Sequence, residues 1–394
     1  MNTPRSSPPP CSSGQRREEL VMSAVPEAER LARVTLSCAV EPGDGTTSAL
    51  IGQLGALRAL EQSRVPKPGS QLHERVAEVD PERQLDQAER CGIRFLVPGD
   101  PEWPTALDQL DDAMGDERFG GTPPGLWVKG PMPLTELDTS VAVVGSRAAS
   151  VYGVEMTRAI CDHLAVAGVP VVSGGALGID YVAHDASLLA GGATAAVLAC
   201  GVDRVYPAQH RLLLQHLAAE FAVASEQPPG SAPTRLRFLA RNRLIAALTR
   251  GTVLVEAALR SGALNTAGWA EKLSRHVMCV PGPVTSYTSQ GVNNWLRQGR
   301  GTVVTHGAEV LELIGRAGDH LVEEPRGEER PRDALTRVEQ QVLEFVPVST
   351  PAEVDSIARS SSLHVRDTVG ALRRLQAKDF VRLEEGGWRL VPDG

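Results

Sequence analysis

The sequence predicts an α/β protein with a doubly wound, extended Rossmann-like and mostly parallel sheet, a small helical domain before it and a winged-helix domain after it. Three observations predict this order. Apolar residues first recur at helical spacing. Short β-branched runs then alternate with helical segments, as in a parallel sheet that is covered on both faces. The last segment shows three helical patterns followed by a hairpin pattern.

Composition and pattern divide the 394 residues into five segments. Residues 1–22 are rich in proline and serine and carry too little apolar surface to offset the entropy of ordering, so we predict a disordered tail. We expect a helical, SAM-like domain over residues 23–91, the sheet domain over residues 92–315, a charged linker over residues 316–334 and the winged helix over residues 335–394.

The sheet domain is expected to begin with two short strands and to continue with seven β-branched runs. The two strands are predicted at residues 93–97 and 125–130, in a segment that connects the helical domain to the main sheet. Ligands of doubly wound sheets bind beyond the carboxyl ends of the strands, so we expect the functional site there. The seven runs are residues 141–146, 169–174, 194–201, 221–225, 252–257, 277–282 and 302–305.

The C-terminal domain is expected to contain three helices and a hairpin, which is the winged-helix order. The second helix has a clear start signal, with Thr350 as N-cap, Pro351 at the first helical position and Glu353 completing a capping box. The four elements are predicted at residues 336–346, 350–361, 363–379 and 380–391.

Charge is distributed unevenly along a chain whose formal net charge is -8. Residues 140–315 hold 14 Lys and Arg against 11 Asp and Glu, a balance of +3, whereas the segments before and after are acidic. Residues 235–250 carry five arginines, and no acid occurs over residues 227–255. Because solvated helices usually interleave both signs, we interpret this stretch as part of a directed anion site rather than as a solvated helix face.

Three Gly/Ser turns follow strands at the expected ligand edge, at residues 145–153, 173–180 and 261–268. Each turn opens a helix whose free backbone N–H groups and dipole favour a phosphate. One such turn is weak support, since doubly wound folds need tight turns in any case. Three of them beside an arginine-rich helix form a row of anion sites, which suits a polymer backbone better than a single pyrophosphate.

Arg147 stands directly after the first strand of the main sheet, where its guanidinium can hold a phosphate bidentately; a structural ion pair is the alternative. Phe238 offers a ring for base stacking, and a core position is its alternative. Within the arginine-rich stretch, Arg241 and Arg243 are the cations that we expect to matter most. The full candidate set is Gly145, Ser146, Arg147, Gly174, Gly178, Phe238, Arg241, Asn242, Arg243, Ser261 and Asn265.

No convincing catalytic set is present, so we expect a binding protein and not an enzyme. Glu256 is the best candidate general acid or base, and Asp180 lies four residues before His184, but such a pair is more often a structural hydrogen bond. The first turn reads GSRAAS and not GxGxxG, which argues against NAD or FAD. The six cysteines lack metal spacing, so no metal, cofactor or disulfide is indicated.

We expect a cytoplasmic protein without a membrane partner. No apolar run reaches the ~18 residues that a membrane span requires. The Pro/Ser-rich opening of the chain also lacks the apolar core of a signal peptide.

The motifs of residues 92–315 together resemble the DprA/Smf family of DNA-processing proteins. These motifs are VAVVGSR, SGGALGIDYVAH, LACGVDRVYP, RNRLIAAL, VLVEAALRSGALNTA and VPGPVTSYTSQGVNNWL. The resemblance implies a homodimer that binds single-stranded DNA without sequence specificity during natural transformation, protects it and helps to load the RecA recombinase. It also implies DNA contacts from Arg147, Gly174, Gly178, Phe238, Arg241, Arg243 and Asn265.

The chain departs from this family in its charge and in one insertion. The family often carries several lysines around the DNA site, whereas this chain has four in total, so arginine must supply most of the charge here. Residues 111–121 read as an insertion, and the linker is unusually long and acidic.

Two alternatives remain open. Gly251, Thr252 and Glu256 form a run similar to that of nucleotide phosphoribohydrolases of the lysine-decarboxylase-like group, which would make the protein a nucleotide-hydrolysing enzyme, although LTRGT replaces their PGGxGT loop. In the second alternative the winged helix is the main reader of duplex DNA and the sheet is a dimer scaffold. Its third helix carries four cations, but two aspartates offset part of that charge.

Overall fold

The structure, a computed structural model, describes residues 25–113, 119–322 and 330–391. The predicted tail, part of the insertion and part of the linker lie outside these residues. The chain divides into two compact units, Met1–Val322 and Glu323–Gly394, and each is described by itself. The five-segment division of the chain stays a prediction.

Five α-helices precede the sheet within residues 25–92. Their starts follow local signals: Asp44 caps the second helix, Asp80 caps the fifth by accepting from the Arg83 N–H at 3.0 Å, and Pro81 takes the first position of that helix. Apolar side chains of the first and fifth helices also pack against the first two strands. The helical segment therefore shares a core with the sheet. The helices are α1 (Glu27–Ala39), α2 (Gly45–Leu54), α3 (Ala56–Ser63), α4 (Leu72–Glu78) and α5 (Pro81–Arg90).

The described residues of the larger unit form a nine-stranded, mostly parallel sheet, which confirms the predicted fold class. Its strands are β1 (Ile93–Leu96), β2 (Leu126–Lys129), β3 (Val141–Val144), β4 (Val171–Ser173), β5 (Thr194–Leu198), β6 (Ala222–Ser225), β7 (Gly251–Leu254), β8 (His276–Cys279) and β9 (Thr302–Val303). They lie in the order β1-β2-β6-β5-β4-β3-β7-β8-β9, and only the β1–β2 and β2–β6 pairings are antiparallel. The strand order reverses between β3 and β7, which is where doubly wound sheets bind ligands.

Helices cover both faces of this sheet. Val141 and Val143 of β3 pack into one apolar cluster, whereas Ala142 and Val144 pack into another on the opposite face. Both faces are apolar, as the near-continuous apolar strands predicted. The helices are α6 (Gln109–Asp112), α7 (Val151–Val166), α8 (Ile179–Leu189), α9 (Arg211–Glu220), α10 (Arg235–Ala247), α11 (Gly262–Lys272), α12 (Gln290–Arg297) and α13 (Gly307–Ile314).

The smaller unit contains three helices and a hairpin in the predicted order, while its assignment as a winged helix stays a prediction. The predicted capping box at Thr350 and Glu353 is wrong. Ala352 instead forms a two-way backbone pair with Trp388, so the chain is extended there and cannot be helical. The elements are α14 (Arg337–Leu343), α15 (Val354–Ser361), α16 (Val365–Ala377), β10 (Val381–Glu384) and β11 (Gly387–Leu390).

Two carboxylates pair with four cations of this smaller unit. Glu339, whose side chain is 1% exposed, accepts from Arg374 of α16 at 2.8 Å and from Lys378, the residue after that helix, at 3.0 Å. Glu384 pairs in the same way with Arg382 and Arg389 of the hairpin. The duplex-DNA alternative relied on four cations of the predicted third helix. Two of them, Arg374 and Lys378, are therefore paired with a carboxylate within the unit.

Glu339 is expected to make this unit sensitive to acid. The Thr336 backbone N–H, followed by Lys378 and Arg374, lowers the pKa of this carboxyl to about 2. A carboxyl whose pKa is lower in the folded than in the unfolded state stabilises the fold above its ordinary pKa near 4.5, and that stability disappears as the pH falls through about 2. Glu339→Gln should therefore weaken the unit at neutral pH and reduce its further loss of stability in acid.

Hydrogen exchange of the α14 and α16 peptides in the full chain, compared between variants at each pH, measures this effect. Glu344→Gln is the matched control, because Glu344 directly follows α14 and is exposed. An equal pH dependence of protection in the two variants would contradict the role assigned to Glu339.

Candidate functional site

A cleft of about 700 Å³ lies beyond the carboxyl ends of β3 and β7, where the strand order reverses. The loops after these two strands and the N-terminal parts of α10 and α11 line it. Eight of the eleven candidate residues lie in its wall: Gly145, Ser146, Arg147, Phe238, Arg241, Asn242, Ser261 and Asn265.

The GSR turn after β3 places Arg147 at the cleft. The Ser146 carbonyl accepts from the Ile179 N–H at 3.0 Å, and the Ser146 hydroxyl accepts from the Ala148 N–H at 3.2 Å. These bonds hold the turn at both ends, while the Arg147 side chain stays exposed. The predicted alternative, a structural ion pair, is not formed by Arg147 among the described residues.

Phe238 is neither a core residue nor a freely exposed one. Its half-buried ring lies in the cleft wall, with the Arg147 guanidinium carbon 4.8 Å from its centroid and the Tyr206 ring 5.7 Å away. An arginine over an aromatic face is a favourable cation–π contact. The same ring is accessible from the cleft as a stacking surface for a planar ligand.

Arg241 lies on the floor of the cleft and is almost completely buried. Its Nη1 donates to the carbonyl oxygens of Gly174, at 2.8 Å, and of Val197. Burial lowers the pKa of Arg241 to about 10, against the opposing effect of the neighbouring Asp180. At neutral pH this side chain is a positive charge that the protein holds in place.

Asn242 and Asn265 connect α10 to α11 at the cleft wall. The Asn242 amide donates to the Asn265 side-chain oxygen and to the Gly262 carbonyl, each at 3.2 Å. Ser261 caps α11 by accepting from the Ala263 N–H at 3.3 Å. These polar groups shape the wall, and the N-terminus of α11 opens into the cleft as predicted from the SGALNTA turn.

Arg243 does not reach the cleft, which corrects its prediction as a ligand contact. Its side chain is 0% exposed and makes a bidentate pair with Glu226 at 2.7 and 2.8 Å. The Glu226 carboxylate also accepts from the Gly43 N–H at 3.1 Å, and the Arg243 Nε donates to the Gly121 carbonyl. Arg243 therefore joins α10 to the N-terminal segment. The acid that neutralises it stands one residue before the acid-free stretch.

Gly174 and Gly178 lie outside the cleft lining, and their role as phosphate-binding turns stays a prediction. A side chain at position 174 would overlap the Arg241 guanidinium. Gly178 has φ +80°, and a Cβ there would overlap the Ser146 carbonyl oxygen. Both glycines let neighbouring segments approach closely, and in this way they position the Arg147 turn and Arg241.

The groups considered for catalysis do not form a catalytic set. Glu256 is buried outside the cleft lining and accepts from the Ser150 backbone and hydroxyl and from the Thr288 hydroxyl. His184 hydrogen-bonds with Thr194 at 2.7 Å and not with Asp180, and burial lowers its pKa to about 3. Glu256 therefore ties α7 to a neighbouring loop.

Three further cleft residues were not singled out in the sequence: Tyr206, Arg235 and Arg260. Arg235 belongs to the arginine stretch, and Arg260 immediately precedes the SGALNTA turn. The sequence positions of both residues could therefore have predicted that they lie at the cleft. With them, the lining holds four arginines and one carboxylate, that of Asp180. The cleft is therefore strongly positive.

Neither a metal cluster nor a membrane span occurs among the described residues. No group of three or more His, Cys, Asp or Glu residues in that part of the chain could hold a metal ion. None of its helices is long and apolar enough to cross a membrane.

Comparison with known proteins adds a family and several relatives. The family model for DNA recombination-mediator protein A matches residues 94–315, more than half of the chain. A putative DNA processing protein DprA of Mycobacterium tuberculosis H37Rv is 40% identical over 366 residues, covering 91% of this chain and 94% of that protein. Protein Smf of Escherichia coli K12 is 34% identical over 302 residues, covering 74% and 76%.

A solved structure is similar as well. The X-ray structure of DNA processing protein A from Streptococcus pneumoniae superposes with a TM-score of 0.60 at 29% sequence identity. The match covers 72% of this chain and 96% of that chain. The likeness thus includes nearly the whole of the solved chain.

Proposed function

The chain belongs to the DNA recombination-mediator protein A family, and from this membership we propose that it is a DNA-processing protein that binds single-stranded DNA in the cleft. The protein contacts mainly the phosphate backbone of the DNA, so binding has no overall sequence specificity. The protein acts by binding and not as an enzyme, and it needs no metal or cofactor.

One observation carries this proposal: the cleft combines four arginines with a half-buried aromatic ring at the switch point of the sheet. Arginine forks suit phosphate oxygens, and an aromatic ring stacks on any base. A binding site for single strands needs this combination of charge and stacking. Asp180 reduces the positive charge on the cleft floor. The other three lining arginines, Arg147, Arg235 and Arg260, are exposed.

The proposal extends to partners and to cellular role. We expect the protein to protect incoming DNA and to load RecA during natural transformation in the cytoplasm, as the family resemblance implies. The proposed homodimer rests on the same resemblance. The smaller unit, whose cations are partly neutralised, is proposed to make protein contacts or weak DNA contacts.

Replacing Arg147 with alanine is expected to weaken binding of oligo-dT about tenfold, because a hydrogen-bonded phosphate partner is lost. Binding should also depend less on salt: the slope of log K against log salt should become shallower by about 0.7, the value for one phosphate contact on a single strand. Fluorescence anisotropy titrations at several salt concentrations measure both quantities.

Arg158→Ala is the matched control, since Arg158 is exposed on α7 and does not line the cleft. It removes the same charge from the chain and should leave the slope unchanged. A flat salt dependence of the unaltered protein, or an equal loss in both variants, would overturn the proposal.

A further inference from the structure

The floor of the cleft differs chemically from its mouth. The mouth carries the exposed cations Arg147, Arg235 and Arg260, whereas the floor carries two buried groups of opposite charge, Asp180 and Arg241. Asp180 is the one carboxylate among the described lining residues. A phosphate at the mouth would meet cations only, but a phosphate on the floor would also meet a buried carboxylate.

Asp180 keeps hydrogen-bonding capacity for a ligand. It lies in the first turn of α8, where its Oδ2 accepts from the Ala176 N–H at 3.3 Å and the Gly174 N–H also faces the carboxylate. Burial raises the pKa of this carboxyl, while Arg241 and the two amides oppose that effect. The ionised form offers about four lone-pair sites, so the two amides leave part of it free. Asp180 can therefore accept another N–H from the cleft.

Arg241 keeps donors for a ligand in the same way. Its Nη1 is bound to two carbonyl oxygens, while its buried Nε has no hydrogen-bond partner among the described residues, and none of the hydrogen bonds described for them involves its Nη2. No described carboxylate forms an ion pair with this guanidinium. Because the Nε atom is fully buried, a ligand oxygen in the cleft would accept from Nη2.

A neutral planar group with a hydrogen-bond acceptor beside a donor could accept from Arg241 and donate to Asp180. Only some nucleobases present this pair of groups on one edge. Guanine and thymine present a carbonyl oxygen next to a ring N–H, whereas adenine and cytosine present an amino donor next to a bare ring nitrogen. Phe238, 5.7 Å from the Arg241 guanidinium carbon, supplies the stacking surface beside the floor.

We infer that the cleft floor selects a keto base, guanine or thymine, whose carbonyl oxygen accepts from Arg241 while its ring N–H donates to Asp180. The inference rests on the proposed function and adds a base preference at one position to a strand held mainly by its phosphates. Adenine or cytosine at this position would place an amino group toward Arg241 and a lone pair toward Asp180.

The test compares oligo-dT with oligo-dC of equal length in the full chain, at mildly alkaline pH where cytosine is neutral. Oligo-dT should bind at least about fivefold more tightly, which is the low end of discrimination by a bidentate pair. Oligo-dT in which N3-methylthymine replaces thymine should lose that advantage, because the donor N–H is gone while the phosphates are unchanged.

Asp180→Asn should bring the dT/dC ratio close to one, because an amide offers both a donor and an acceptor. Asp162→Asn is its matched control: Asp162 is exposed on α7 outside the cleft, so the charge change is the same and the ratio should be kept. If Asp180→Asn does not fold, the N3-methylthymine comparison with the unaltered protein still tests whether the cleft floor selects a keto base.

Equal affinity for the two oligonucleotides, or full retention of affinity for the N3-methylated strand, would overturn the inference. The proposed function would still hold in that case if both strands bound with a steep salt dependence. Failure of both strands to bind would instead reject the proposed function itself.

Discussion

Replacing Arg243 with alanine is expected to destabilise the larger unit by about 3–5 kcal/mol, the cost of breaking a buried ion pair on one side. The substitution leaves the Glu226 carboxylate buried without its cation, since Arg243 is 0% exposed and supplies both strong bonds. The cavity left by the side chain adds to this cost. DNA binding should be lost only to the extent that the protein unfolds.

Chemical unfolding followed by circular dichroism measures the effect, and Arg237→Ala provides the control on the same helix. Arg237 also pairs with a glutamate, Glu41, but that carboxylate is 58% exposed, and exposed pairs contribute only about 0–1 kcal/mol. Replacing Arg243 and Glu226 together with apolar residues should recover much of the loss. Equal effects of the two alanine variants would contradict the structural role of Arg243.

The second large effect is expected for Gly178→Ala, which should destabilise the larger unit by about 2–5 kcal/mol through backbone strain and overlap combined. The backbone here has φ +80° and ψ −128°, a combination that favours glycine, and the added Cβ would overlap the Ser146 carbonyl oxygen. Relief of this overlap requires the GSR turn to move. Because Arg147 belongs to that turn, DNA affinity should also fall in the fraction that remains folded.

Gly168→Ala separates the two contributions. Gly168 has a similar φ of +69°, but no atom lies within 4 Å of the position that its Cβ would take. This control should show the cost of a positive φ without overlap, about 1–2 kcal/mol, and normal DNA affinity. If both alanine variants lost the same stability and bound DNA equally well, the contact between residues 178 and 146 would not position Arg147.

Much of the fold followed from local patterns in the sequence. The strands of the main sheet are apolar on both faces, so their alternation with helices predicted a covered parallel sheet, and the strand order then determines where a ligand binds. The capping signals were less dependable. Thr350 and Glu353 match a capping box, yet pairing of Ala352 with Trp388 takes that segment into an extended conformation.

The candidate site was predictable in part for the same reason. Residues that directly follow β3 and β7 are brought together by the sheet itself, and the GSR and SGALNTA turns accordingly both lie in the cleft wall. Arg260 could have been found by this rule. Arg243 could not, because a helix places residues two positions apart on different sides, and the sequence does not show which side is covered.

By itself, the sequence determined the order of the elements, the edge of the sheet at which a ligand is expected and a positive region there, because these depend on residue types and on spacing along the chain. The tertiary structure decided what each charge does. Arg243 is paired with Glu226 inside the protein, Arg241 is buried on the cleft floor opposite Asp180, and Arg147 is exposed at the mouth. The physical reason is that desolvation and ion pairing depend on contacts between distant segments, which no local pattern encodes.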